Sequence, residues 1–292
     1  MRYTITLNTR HPAITIAELL EKEWLIPRKI RYFLRVRKNI WCNGKAIQFH
    51  QTVTGGDSIT LQIEESDYHY QGVYLGEKEN IQRLYEDEHI IVVNKAVGIK
   101  THPNQPTEKG TLQNDLAAYL AEQQAYPYVV HRLDKETSGA ILFAKNPLVL
   151  PILNRLLEQK KIYRSYQAVV QGKLRDDLTI NKKIGRNRHD RRKRIIDEKK
   201  GLNAITHVHV IKSEKKQTQV QCILETGRTH QIRVHLASIG HPVIGDPLYQ
   251  KRQSNGRLML HAYEMELLHP FTHEPVHIQA KPGLWNKELL IK

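Results

Sequence analysis

The chain has 292 residues, 40% of them hydrophobic, which suits about two domains with a sizeable core. Its 45 Lys and Arg against 30 Asp and Glu leave a net charge of +15, which argues for a polyanionic partner, above all nucleic acid. No apolar run is long enough to span a membrane, Met1-Arg2-Tyr3-Thr4 lacks the basic-then-apolar layout of a signal peptide, and Cys42 and Cys222 form no zinc-type spacing, so a cytoplasmic protein without metal or membrane contact is expected.

Residues 1–70 read as a first unit. Ile14 to Trp24 predicts an amphipathic helix, and a second helix starts after Pro27 and runs to about Lys38. Arg28, Arg31, Arg35 and Lys38 fall at three- and four-residue spacing and share a face, while Ile30, Phe33, Leu34 and Val36 supply the buried side. Residues 28–38 hold six basic side chains and no acidic one, a composition suited to phosphate contacts. A short strand from Ile40 ends in an Asn43-Gly44 turn, and Gly55-Gly56-Asp57 leads into an alternating strand up to Ile63. This order of elements resembles the αL-type (S-four-like) RNA-binding module, which implies that the unit binds RNA.

Glu65 to about Asn80 is polar and without clear period, so a linker is placed at 71–83, before a second unit at 84–292. Ile90 to Val93 predicts a buried strand, and Thr111 caps a helix running to about Gln123. Then come Val129-Val130, four charged side chains (Arg132, Asp134, Lys135 and Glu136) and the apolar run Ala140 to Ala144: strand, polar connection, strand, with a turn at Thr137-Ser138-Gly139. A helix follows within Pro147–Lys160, properly beginning at Pro151. The next strand puts Tyr166, Ala168 and Val170 on one face. Residues 182–200 carry ten Lys and Arg against three acidic residues and read as a mobile solvated loop, one whose charge also suits contact with nucleic acid. Ile205–Ile211 and Thr218–Leu224 predict a hairpin. Thr229 N-caps a helix to about Ile239, ended by Gly240, with Arg228 just outside its start. Leu258–Leu268 and Pro275–Ala280 are the closing strands. Strands outnumber helices and often follow one another, which predicts an α+β layer architecture.

Charges between two buried strands must be paired or working, unless they sit on a solvated turn, and turns favour Asp. The polar candidates are Asp134, Tyr166 and Arg228, with Arg132 beside the aspartate. A carboxylate held by an arginine through charge-assisted hydrogen bonds is a competent nucleophile or base, and a tyrosine ring can stack on a nucleobase. With no phosphate-cradling loop or nucleotide fingerprint present, these groups suit an internal rearrangement at the glycosidic bond of RNA.

His131-Arg-Leu-Asp-Lys-Glu-Thr-Ser-Gly139 resembles the signature of the RluA/RluD-type pseudouridine synthases. The likeness runs over about residues 84–280. It includes the opening segment Leu84–Pro103, Tyr166 in Ser-Tyr-Gln-Ala-Val-Val, and Gly227-Arg-Thr-His-Gln-Ile-Arg-Val-His235 with Gly240-His-Pro-Val-Ile-Gly-Asp246. Glu136 stands where many members have Asp, and Arg164-Ser165 replaces a commoner Lys-x. The resemblance implies the family's fold, a central mixed, largely antiparallel sheet flanked by helices. It also implies isomerisation of uridine to pseudouridine in structured RNA, with no cofactor and no metal. Asp134 would be the essential carboxylate, Arg228 would pair with it, and Tyr166 would stack on the flipped uracil. Arg132 would fill the gap left in the RNA stack, with His131 among the RNA contacts. A monomer is expected, and the N-terminal module favours 23S rRNA over tRNA. The competing readings are a non-catalytic RNA-binding or ribosome-assembly factor and, from charge alone, a DNA-binding protein.

Overall fold

Alternation along Ser58–Glu64 buries Ile59, Leu61 and Ile63 on one side, and that face organises the first unit. The computed structural model describes residues 2–10, 12–68, 72–250 and 256–282; residue 71, where the expected linker begins, and the last ten residues of the expected second unit lie outside these ranges. In chain order the first unit holds β1 (Arg2–Asn8), β2 (Ile14–Thr15), α1 (Ile16–Glu18), α2 (Arg28–Arg37), β3 (Ile40–Cys42), β4 (Lys45–Ala46), β5 (Thr52–Val53) and β6 (Ser58–Glu64). An antiparallel sheet in the order β1-β6-β3-β4 packs Ile5 and Leu7 with Ile30 and Leu34 of α2. Asn43 and Gly44 both adopt positive φ, the conformation that a two-residue hairpin requires. The first predicted helix is α-helical only over Ile16–Glu18. Residues 19–23 form a π-turn closed by Trp24 N–H donating to Leu19 O, and Trp24 meets Phe271 edge-on at 5.9 Å.

The second unit contains β7 (Arg83–Glu86), β8 (Ile90–Lys95), α3 (Leu112–Ala121), β9 (Tyr128–Val129), β10 (Ser138–Ala144), α4 (Val149–Glu158), β11 (Tyr163–Gln171), β12 (Leu178–Asn181), β13 (Ile184–Arg186), β14 (Arg194–Ile196), β15 (Ile205–Ser213), β16 (Gln217–Leu224), α5 (Gln231–Ser238), β17 (Leu260–Leu268) and β18 (Pro275–Gln279). The main sheet runs β12-β15-β16-β11-β17-β10-β8-β7, with β9 on β10 and β18 on β17. Among the described residues the β10–β17 pair is the only parallel pair of this sheet, so it is mixed and largely antiparallel, as expected for this α+β chain. Ile90 and Val92 face α4 and the first unit, while Ile91 and Val93 face the layer that includes α3 and α5. Burial on both faces is why β8 and β10 read as continuous apolar runs rather than alternating ones.

Three expectations change. The linker is not loose where it is described: Asn114 Nδ2 donates to Tyr74 O at 2.7 Å, Gly76 N–H to Asn114 O at 2.9 Å, and Glu77 N–H to Asp115 Oδ1 at 2.9 Å. A side chain at Gly76 would collide with Asp115. Secondly, α4 begins at Val149, ahead of Pro151, because Asn146 Oδ1 accepts the Val149 N–H at 2.9 Å and a proline in the first turn forfeits no helical bond. Thirdly, the basic run 182–200 contains the hairpin β13–β14. Ile184 packs with Val234 of α5, and Ile196 and Tyr249 close that small core.

The first unit is docked on the second. Arg155 Nη1 of α4 donates to Leu25 O at 3.1 Å, and Arg10 Nη1 donates to Thr272 O at 3.0 Å. Among the described residues no helix is long and apolar enough to cross a membrane.

Glu86 joins β7 to α3 and to the end of β10. Burial would raise its carboxyl, but hydrogen bonds from Lys145 foremost, then Gln123, Tyr119 and Arg83, outweigh that and hold it at about 2, against an ordinary 4.5. A depressed folded value means stability that is full above about pH 4.5 and is lost as the pH falls towards 2, on the order of 2 kcal/mol. Denaturant titrations at pH 5 and pH 3 should therefore show a steeper acid loss in the wild type than in Glu86→Gln. Equal slopes would remove this role for Glu86.

Candidate active site

Asp134 lies between β9 and β10, on a turn closed by Thr137 N–H donating to Asp134 O at 3.1 Å. The turn is therefore 134–137, and Ser138 and Gly139 already belong to β10, not to the turn expected at 137–139. Gly139 has φ +115, and a Cβ there would overlap the Ala262 carbonyl of β17; only glycine lets the parallel strand approach this closely. Thr101 Oγ1 accepts the Leu133 N–H at 3.1 Å and donates to Leu133 O at 2.9 Å. Lys95, fully buried, donates to Ala96 O, Ile99 O and Lys135 O at 2.8, 2.7 and 3.1 Å. Burial pushes its ammonium down to about 8, while the charges of Asp134 and Glu136 work the other way. At neutral pH it stays charged and pins the Asp134 turn to the loop after β8.

The arginine on Asp134 is Arg233, not Arg228. Arg233 Nη1 donates to Asp134 Oδ2 at 3.0 Å, and its Nε and Nη2 form a fork on Asp246, each bond 2.8 Å. The Arg233 and Asp246 side chains are 3% and 0% exposed, so the charge is fully compensated where water cannot reach. Asp246 also accepts the N–H groups of Leu248 and Tyr249. Arg228 turns the other way, its Nε donating to Asn203 O at 3.0 Å. The reason is the entry to α5. His230, not Thr229, is the N-cap, with left-handed backbone at φ 58, so the helix starts at Gln231 and aims its third residue at Asp134. A signal for this was present in the sequence: Arg233 sits between Ile232 and Val234 inside a helix, and a charge in that place needs a partner. Gln231 and His235 are buried framework residues, bonded to Thr206 at 3.0 and 2.9 Å.

Asp134, Tyr166, Arg132, Arg228, His230 and Arg233 all line one cavity of about 620 Å³. Tyr166 is brought in by β11, where a register shift against β17 falls between Ser165 and Tyr166. Burial raises its phenol above the ordinary value, so it is neutral at physiological pH. Arg132 is exposed at the rim. His131 also borders the cavity, but its Nε2 accepts the Leu142 N–H at 3.2 Å, and burial, then Arg164, push the ring down to about 3. The neutral ring is tied to β10 through Nε2, while its Nδ1 is left without a hydrogen-bond partner among the described residues.

On α2, Arg28, Arg35 and Lys38 are exposed as expected. Arg31 is not: its side chain is 17% exposed and bonds Glu21 at 2.8 Å. Val36, expected on the buried side, is 58% exposed beside exposed Tyr32. Among the described residues, the one group with metal-ligand spacing is Glu264, Glu266 and His277, and none of the three borders the cavity.

Compared with known proteins, residues 89–238 match the family described as RNA pseudouridylate synthase, and residues 3–59 match the N-terminal domain of the RluD ribosomal pseudouridine synthase. YhcT of Bacillus subtilis, named an uncharacterized RNA pseudouridine synthase, is 40% identical over 83% of this chain and 81% of its own. Ribosomal large subunit pseudouridine synthase D of Neisseria meningitidis is 35% identical over 85% of this chain and 72% of its own. Among solved structures, human RNA pseudouridylate synthase domain containing 1 aligns with a TM-score of 0.60 at 28% identity, over 70% of this chain and 85% of that one.

Proposed function

The chain belongs to the RNA pseudouridylate synthase family and is an isomerase of RNA uridines; from that premise we propose that it modifies uridine in large-subunit ribosomal RNA, with Asp134 as the reacting carboxylate. The observation that carries this reading is the buried Arg233 fork, which aims Asp134 into a cavity that Tyr166 also lines. Arg233 fixes the carboxylate and Tyr166 offers its ring to the extruded uracil. Arg132 at the rim offsets part of the unstacking cost, roughly a few kcal/mol. The reaction conserves atoms and electrons, so side chains alone are assigned to it and no cofactor enters.

The 1–70 unit supplies a second RNA contact through Arg28, Arg35 and Lys38. The match of residues 3–59, and relatives named for the ribosomal large subunit, support 23S rRNA as the substrate. We place the enzyme in the cytoplasm, acting as a monomer. The test is a pseudouridine map of total RNA from cells with and without the gene. One or more positions in 23S rRNA should lose the modification and regain it on complementation. A loss confined to tRNA would replace the substrate, and identical maps would remove the reading.

A further inference from the structure

Tyr249 sits where three parts of the molecule meet. Its hydroxyl oxygen accepts the Arg194 N–H of β14 at 2.8 Å, and it lies 2.9 Å from His230 Nδ1. Its ring packs edge-on against His230, centroids 5.8 Å apart, and lies under the Arg233 guanidinium at 5.2 Å. His230 Nε2 is 3.7 Å from Asp134 Oδ2, the same oxygen that Arg233 holds.

Donor and acceptor roles follow from this arrangement. One lone pair of the Tyr249 oxygen takes the amide proton of Arg194, which leaves the phenolic proton to donate to His230 Nδ1. An imidazole that accepts at Nδ1 carries its proton on Nε2, and that proton faces Asp134. Burial lowers the imidazole's pKa, in keeping with a neutral ring. The gap to Asp134 is slightly longer than a hydrogen bond, as catalytic contacts often are before substrate closes on them. His230 also holds a left-handed backbone, a conformation that a residue with a side chain adopts only at a cost.

At the other end, the β13–β14 hairpin is strongly basic, with Arg186, Arg188, Arg191, Arg192, Lys193 and Arg194 against Asp190. Arg188 and Arg191 are exposed at its tip. Its attachment to α5 runs through Ile184, Val234, Ile196 and Tyr249.

We propose that Tyr249 and His230 form a positioning relay through which the seating of hairpin 184–196 against RNA sets the orientation of Asp134. Phosphates drawn to the hairpin press it onto α5. The Arg194 amide fixes the Tyr249 hydroxyl, the hydroxyl fixes the imidazole, and the imidazole closes on the carboxylate. No bond to substrate is made by either residue. The proposal rests on Asp134 being the reacting group.

The test uses Tyr249→Phe and His230→Asn, asparagine being a residue that tolerates left-handed backbone, alone and together, on the RNA identified by mapping. Each single variant should lower kcat about 10- to 100-fold with KM for RNA within about twofold, since misaiming a reacting group costs turnover and not phosphate contacts. In a series relay either break is complete, so the double variant should be no slower than the slower single one. Losses that multiply, a change confined to KM, or unchanged kcat would each overturn the relay. Arg188→Ala with Arg191→Ala should weaken RNA binding in every background but lower kcat only where Tyr249 is intact; a kcat loss of equal size in Tyr249→Phe would also overturn it. Failure of the underlying reading looks different: Asp134→Asn would then be active, whereas failure of the relay leaves Asp134→Asn inactive.

Discussion

Asp134→Asn is expected to abolish pseudouridine formation, a fall in turnover of at least about 10⁴-fold, with RNA affinity unchanged within about threefold because phosphate contacts dominate it. The substitution removes one negative charge and keeps the shape. In most buried ion pairs that would strand the partner's charge, at a cost of about 3–5 kcal/mol. Here Arg233 stays bound through two bonds to Asp246, so the variant should fold and melt close to the wild type. That separation makes the experiment clean. Time courses of pseudouridine formation on purified RNA, with thermal melts of both proteins, would check it. Residual activity above about one hundredth of wild type in a folded variant would remove Asp134 from the chemistry.

Arg233 should be the most sensitive position for stability and activity together. Arg233→Met leaves the Asp246 carboxylate buried with only the N–H groups of Leu248 and Tyr249 to answer it, and should destabilise the protein by about 3–5 kcal/mol. Arg233→Lys keeps the positive charge but cannot hold Asp246 with a fork and reach Asp134 at once. It should retain more of the stability and still lose turnover by about 100-fold or more. Arg228→Met is the contrast. That side chain is exposed, so the change should alter stability by less than about 0.5 kcal/mol. Chemical denaturation gives the ranking directly. If Arg228→Met proved the more damaging to stability, the assignment of Arg233 as the partner of Asp134 would fail.

Much of the architecture can be read from local pattern. The run Ile90–Val93 and the run Ala140–Ala144 are apolar without alternation because β8 and β10 are covered on both faces. Thr111 caps α3 as its side-chain chemistry requires, accepting the Asn114 N–H. Gly240, past the end of α5, adopts the positive φ expected of a helix stop. The residues around Asp134 were also visible, since a cluster of charges between two buried strands is costly unless it is used. Other features were not visible, for particular reasons. The basic run 182–200 looks solvated because Ile184, Ile195 and Ile196, its few apolar residues, show no period; the partner of Ile184 and Ile196, Val234, lies on another element. The stretch after Gly72 looks like a linker because its order comes from Asn114 and Asp115, more than thirty residues on. The bond from the Leu142 amide to His131 could not be read from the sequence, because it exists only once β10 has folded beside the ring.

The sequence by itself pointed to a polyanionic partner and the α+β arrangement, because charge and periodicity are local properties, and its resemblance to a known family singled out Asp134 as the candidate carboxylate. Tertiary structure alone decided which arginine reaches Asp134. Arg228 and Arg233 are five positions apart on the same motif, and the choice between them turns on the left-handed backbone of His230, which sets where α5 begins and therefore which way each side chain points. It also decided that the basic hairpin is linked to the same carboxylate through Tyr249 and His230, since Tyr249 and Arg194, far apart in sequence, become neighbours only when the hairpin packs on α5.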